Sequence, residues 1–91
     1  MDTVLGQVVY SKAGRDAGRK FVIVGIIDSA YVLIADGNLR KIEKPKKKKR
    51  KHLEMTDEVI KSIGSKLLNG QKVTNADIRK ALAAMDEKLD G

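Results

Sequence analysis

Apolar and polar positions follow two different periods along this chain. Residues 1–44 carry short β-branched runs broken by glycine and polar clusters, and residues 53–91 carry apolar positions spaced by three and four. Between them, residues 45–52 are almost purely basic. The β-prone run from Val4 to Ser11 contains Gly6, which marks a bulge or a close backbone approach. Lys12 to Arg19 is a polar loop. Lys20 to Ile27 is the strongest strand signal, through Phe21, Val22, Ile23, Val24, Ile26 and Ile27. Both of its faces are apolar, which predicts a central strand covered on both sides. Asp28-Ser29-Ala30 is a turn and Tyr31 to Ala35 another strand. Asp36-Gly37, extended by Asn38, is a hairpin signal that predicts a returning strand over Leu39–Ile42. Leu53 supplies a short last strand. Several short strands joined by tight turns point to a small barrel, which also removes exposed edges.

The tail reads as two helices. Thr56 precedes Asp57-Glu58 as an N-cap with acids in the first turn. Val59, Ile60, Ile63, Leu67 and Leu68 keep helical spacing, Gly64 weakens or bends that helix, and Asn69-Gly70 stops it. Thr74 and Asp77 have capping-box spacing. Ile78, Leu82, Met85 and Leu89 then form one stripe. Helices are expected near 57–68 and 75–87. Both stripes read as packing surface rather than as a ligand site.

Length narrows the choice: 91 residues make one small unit with little room for a deep substrate pocket. The division expected is 1–55 for the barrel, including a basic loop at 44–52, and 56–91 for a helical extension. The chain has no cysteine, which removes disulfides, thiolate metal sites and cysteine nucleophiles together. His52 is the sole histidine, too few for a zinc site, so no metal and no cofactor is expected. No nucleophile–base pair stands out, and the chain reads as non-enzymatic. The start, Met1-Asp2-Thr3-Val4, lacks the pattern of a signal peptide, and no apolar run approaches the roughly 20 residues that span a bilayer. A soluble, cytoplasmic protein, monomeric when free and with no membrane partner, is the expectation.

Charge changes the picture most. The net charge is +7 and the pI about 9.8, which calls for a polyanionic partner. Lys44-Pro45-Lys46-Lys47-Lys48-Lys49-Arg50-Lys51 can displace counterions from a phosphate backbone, giving salt-sensitive affinity with little sequence information. The same run would also suit a nuclear address signal, an anionic membrane surface or a merely solvated loop. Its place between two expected strands, away from a terminus, favours a built-in binding role. A second group lies in the loop: Lys12, Arg15, Arg19 and Lys20, with Gly14 and Gly18 letting backbone N–H groups approach phosphates. Asp16 can orient Arg15 or Arg19. The glycines lack the following Gly-Lys-Ser/Thr of a phosphate loop, which excludes nucleotide hydrolysis. His52 can bond or stack on RNA, although a packed histidine is the plainer reading.

Gly6-Gln7-Val8-Val9, then Ser11-Lys12-Ala13-Gly14-Arg15-Asp16-Ala17-Gly18-Arg19-Lys20 and Val22-Ile23-Val24, resemble a KOW motif. With the basic run ending in His52-Leu53-Glu54, residues 4–56 resemble the archaeal and eukaryotic family of large-subunit ribosomal protein fourteen and its short bacterial relatives. The resemblance implies a five-stranded SH3-like (KOW) β-barrel, mainly β with an α tail. It also implies RNA contacts, on ribosomal RNA, from the Lys12–Lys20 loop and from Arg40 and Lys41 through Lys44 to His52. Gly14 and Arg15 match the loop core, with Arg19 and Lys20 flanking. The lysine run is expected to be mobile without RNA. The competing expectation is a protein-interaction adaptor. Three scattered aromatics (Tyr10, Phe21 and Tyr31) make a poor peptide groove, so the helical tail is the better protein-docking candidate.

Overall fold

The computed structural model describes residues 3–90. Five strands form one antiparallel sheet: β1 (Gln7–Ser11), β2 (Lys20–Ile26), β3 (Tyr31–Ala35), β4 (Lys46–Lys49) and β5 (Leu53–Val59). One 3-10 turn, Arg50–His52, joins β4 to β5. Two helices follow, α1 (Lys61–Leu68) and α2 (Asn75–Asp90). The strand order is β4-β3-β2-β1-β5. The mainly-β class, the number of strands and the presence of two C-terminal helices are as expected. The hydrogen-bonded ladder does not close into a barrel, because β4 and β5 remain its two edges.

The central position expected of β2 is observed, and alternation along it explains why. Val8, Val22 and Ala35 share one face by direct pairing, and they pack with Ile63, Val73, Ile78 and Leu82 from the helical tail. Val9, Phe21, Ile23, Val32, Ile34 and Leu53 form a second cluster on the other face. Each fully buried Val, Ile or Phe contributes roughly 1.5–3 kcal/mol relative to exposure. The sheet is therefore covered on both sides, and the helices are part of its core.

Three expectations fail, each for a local reason. No strand forms at Leu39–Ile42. Asp36 Oδ1 accepts the N–H groups of Asn38 (3.0 Å) and Arg40 (2.9 Å), which curls the chain after β3. Asn75, at the start of α2, then takes the next segment: its Oδ1 accepts the Ile42 N–H at 2.8 Å, and its Nδ2 donates to the Glu43 carboxylate at 2.8 and 2.9 Å. The backbone is satisfied there without a ladder. The returning strand is the lysine run itself: within the basic loop expected at 44–52, Lys46–Lys49 form β4 and Arg50–His52 the 3-10 turn. Lysine has low strand propensity, but an all-lysine strand suits an exposed edge, where charge discourages pairing with other chains.

The third failure is Thr56. It caps no helix, because β5 runs through Val59 and α1 begins at Lys61. Its hydroxyl donates to the Val8 carbonyl at 2.6 Å and accepts the Glu58 N–H at 3.2 Å. This lies beside the irregularity in the β1–β5 register between Gln7 and Val9. The second cap holds as expected: Thr74 N–H donates to Asp77 Oδ2 (3.0 Å) and Asp77 N–H to Thr74 Oγ1 (3.1 Å). Ile78, Leu82 and Met85 face the core, while Leu89's side chain lies outside the described residues. No helix among the described residues is long and apolar enough to cross a membrane.

Candidate nucleic-acid interface

The register of β4 sorts its four lysines into two kinds. Lys46 pairs with Ile34 and Lys48 with Val32, so both lie on the face of the second core cluster. Lys47 pairs with Leu33 and Lys49 with Tyr31, on the opposite face. Lys46 and Lys48 are half-buried, whereas Lys47 and Lys49 are exposed.

The half-buried pair reaches across to the Lys12–Arg19 loop. Lys46 Nζ lies 3.3 Å from Asp16 Oδ2, and Arg40 Nη2 reaches the same oxygen at 3.1 Å. Lys48 Nζ donates to the Ala13 carbonyl at 3.3 Å. The Lys12 N–H donates to the His52 carbonyl at 2.9 Å, fastening the loop to the 3-10 turn as well. The loop closes on itself through Gly18 N–H to Ser11 O (2.8 Å) and Arg19 N–H to Asp16 O (2.9 Å). Asp16 therefore orients neither Arg15 nor Arg19 with its carboxylate. It is a buried hub, 4% exposed, that gathers Arg40 and Lys46 beneath the loop.

Burial alone would push the Asp16 carboxyl up, but the hydrogen bonds and charges of Arg40 and Lys46 outweigh it and hold the pKa below its ordinary value. The Asn75 amide does the same for Glu43, and the Thr74 N–H for Asp77. A carboxyl with a lower pKa folded than unfolded adds stability above its unfolded value. That stability is lost as pH falls through the folded value. The protein should hold its thermal midpoint from neutrality down to about pH 5 and lose it progressively below about pH 4. Asp16→Asn should cost about 1.5–3 kcal/mol at neutral pH, since it removes charge-assisted bonds from a buried acceptor, and should flatten the acid limb. Circular-dichroism melts between these pH values test both; a variant as stable as the parent at neutral pH would refute the hub.

The candidate residues thus fall into groups. Lys12, Gly14, Arg15 and Arg19 stand exposed on the loop, beside Lys47, Lys49 and Lys51 on the strand and turn. Lys47 is placed over the Tyr31 ring, 4.6 Å from its centroid, and Arg50 Nη1 donates to the Ser29 carbonyl at 3.1 Å. His52 is half-buried next to Lys12. Lys20 does not join this group: its Nζ donates to the Leu82 carbonyl of α2 at 3.3 Å. Lys41 and Lys44 lie on a separate turn, linked by Lys44 N–H to Lys41 O at 3.0 Å. Sequence reasoning missed Tyr31 as the partner of Lys47 and Asn75 as the organiser of residues 42–43. Four identical lysines carry no alternation in sequence, so neither contact had a signal there.

The chain matches no family model. It is 44% identical over 57 residues to the large ribosomal subunit protein eL14 of Desulfurococcus amylolyticus, covering 63% of this chain and 59% of that protein. It is 43% identical over 56 residues to eL14 of Staphylothermus marinus, covering 62% and 58%. The match thus spans less than two thirds of either archaeal protein. It is also 32% identical over 72 residues to the putative ribosome-binding protein YbzG of Bacillus subtilis, covering 79% of this chain and 97% of that one. Nearly all of that short bacterial protein is matched. The chain belongs to the family of that putative ribosome-binding protein and is similar to eL14 over part of eL14's length.

Proposed function

We propose that this protein is a non-enzymatic RNA-binding protein that docks on ribosomal RNA of the large subunit. Its binding face combines the Lys12–Arg19 loop with Lys47, Lys49, Arg50, Lys51 and His52. The observation that carries this is the fastening of loop to strand: Asp16 offsets the charges of Arg40 and Lys46, Lys48 bonds the Ala13 carbonyl, and the exposed cations stand on two adjoining segments. Ordered cations lose less freedom on meeting phosphates than mobile ones. The names of the relatives support the ribosome as the place of work, and with it the cytoplasm. Residues 1–55 would carry the RNA face, and residues 56–91 would brace the sheet from behind. Arg40, Lys41, Lys44 and Lys20 add to the long-range field rather than to the face itself.

A protein contact from the tail has one observation in its favour: Leu68, at the end of α1, is 76% exposed. It fits a neighbouring protein on the same particle and does not compete with the RNA face.

The test is binding of the purified protein to large-subunit ribosomal RNA over a range of salt. The log of affinity should fall linearly with log salt, with a slope of about −0.9 per phosphate contacted on duplex. Arg15→Ala should shallow that slope by about one contact. Salt-independent binding, or none, would remove the proposal.

A further inference from the structure

A cleft of about 620 Å³ opens where the β2–β3 turn, the end of β4, the 3-10 turn and β5 converge. Its lining joins two kinds of surface. Tyr31, Ala30 and Met55 supply an aromatic and apolar wall; Lys49, Arg50 and Lys51 supply three cations; among the described residues no carboxylate lines it. The walls are set by the chain's own bonds. Asp28 Oδ1 accepts the N–H groups of Ala30 and Tyr31, each at 2.8 Å. Arg50 N–H donates to the Ala30 carbonyl at 2.8 Å, and its guanidinium to Ser29 O. Lys47, whose Nζ sits 4.6 Å from the centroid of the Tyr31 ring, is not itself part of the lining.

We propose that this cleft takes one unstacked nucleotide of the bound RNA, with the base against Tyr31 and Met55 and its phosphate between Lys49 and Lys51. The inference rests on the RNA-binding reading above and adds a subsite to it. A phosphate needs only the cations and would leave most of this volume empty. A splayed base needs an aromatic surface beside a cationic one, the combination by which proteins hold single-stranded RNA. The Lys47 ammonium pins the ring, so little side-chain freedom is lost when a base arrives. The subsite would direct the protein to a loop or bulge next to a helix, which the surrounding cations contact through the backbone.

The full chain is titrated with adenosine 5′-monophosphate and, separately, with inorganic phosphate at matched ionic strength, by NMR. The nucleotide should shift the Met55 and Ala30 methyl groups and the Tyr31 ring protons; phosphate should shift only the Lys49–Lys51 amides. Phosphate reproducing every shift, or the nucleotide leaving Met55 and Tyr31 unmoved, overturns the subsite. An acidic peptide that moves Met55 and Tyr31 where the nucleotide does not overturns it in favour of a protein ligand. In parallel, Tyr31→Leu should lose roughly tenfold or more in affinity for an RNA hairpin with an unpaired loop, and little for a plain duplex. Lys51→Gln is the second variant should Tyr31→Leu fold poorly, and should weaken the nucleotide shifts. Equal loss on both RNAs refutes the subsite while RNA binding stands. Failure of the parent chain to bind either RNA removes both proposals.

Discussion

Replacing Lys47, Lys49 and Lys51 together by glutamate is expected to weaken ribosomal-RNA binding by about a hundredfold or more at moderate salt, and to reduce the salt slope by about three contacts. Stability should change little, because all three side chains are exposed and isolated surface charges add little to folding. The cation–π contact of Lys47 with Tyr31 is the main intramolecular loss, worth about 0.5–1 kcal/mol at an exposed site. Lys46→Gln with Lys48→Gln should behave in the opposite way. These lysines hold Asp16 and the Ala13 carbonyl, so their loss should lower the thermal midpoint and loosen the loop. RNA affinity should then fall only as far as the loop loses its order. Melts and filter binding on the two variants separate the classes. Equal effects on stability and affinity from both would contradict the division made by the β4 register.

Gly64→Ala is expected to destabilise the fold by about 1–3 kcal/mol, the cost of inserting a methyl group into a closed contact. The sign is what makes this informative. Gly64 lies inside α1, where alanine is ordinarily better than glycine by roughly 1 kcal/mol. Here a Cβ at Gly64 would sit 2.6 Å from the Leu5 carbonyl oxygen, and one at Gly6 would sit 2.7 Å from the Ile60 carbonyl oxygen and 2.9 Å from the Gly64 nitrogen. These obstacles are backbone, which cannot swing aside like a side chain. Gly6 also has φ +87°, so alanine there is strained as well as crowded. The two glycines let the start of β1 lie against the start of α1, sealed by the Ile60 N–H bond to the Gly6 carbonyl at 2.8 Å. Chemical denaturation of Gly64→Ala tests this, and a gain in stability would show that the contact can relax.

The close approach at Gly6 was readable as one of two meanings of a glycine in a strand. Its partner was not, since Gly64 in a helical run signals only weakness until the β1–α1 crossing is known. Strands β1 to β3 were readable because β-branched residues alternate or crowd there, and the Thr74–Asp77 cap because its spacing is local. Strand β4 was not, because strand signals rest on apolar residues and Lys46–Lys49 has none. Its pairing comes from β3, whose free edge needs a partner, and from Asp16, which rewards an inward lysine. Thr56 misled for a related reason: threonine before two acids has the chemistry of a helix cap, and only the irregular β1–β5 register shows that its hydroxyl is needed at Val8. The loop and the basic run were grouped by family resemblance. The division of the run into inward and outward lysines came from the register.

Sedimentation of the native protein from cell lysate on sucrose gradients, at low and moderate salt and with or without nuclease, tests the central claim most directly. The account predicts co-migration with the large ribosomal subunit that persists at moderate salt and is lost from particles stripped of RNA. Absence from ribosomal fractions at both salt concentrations would contradict it.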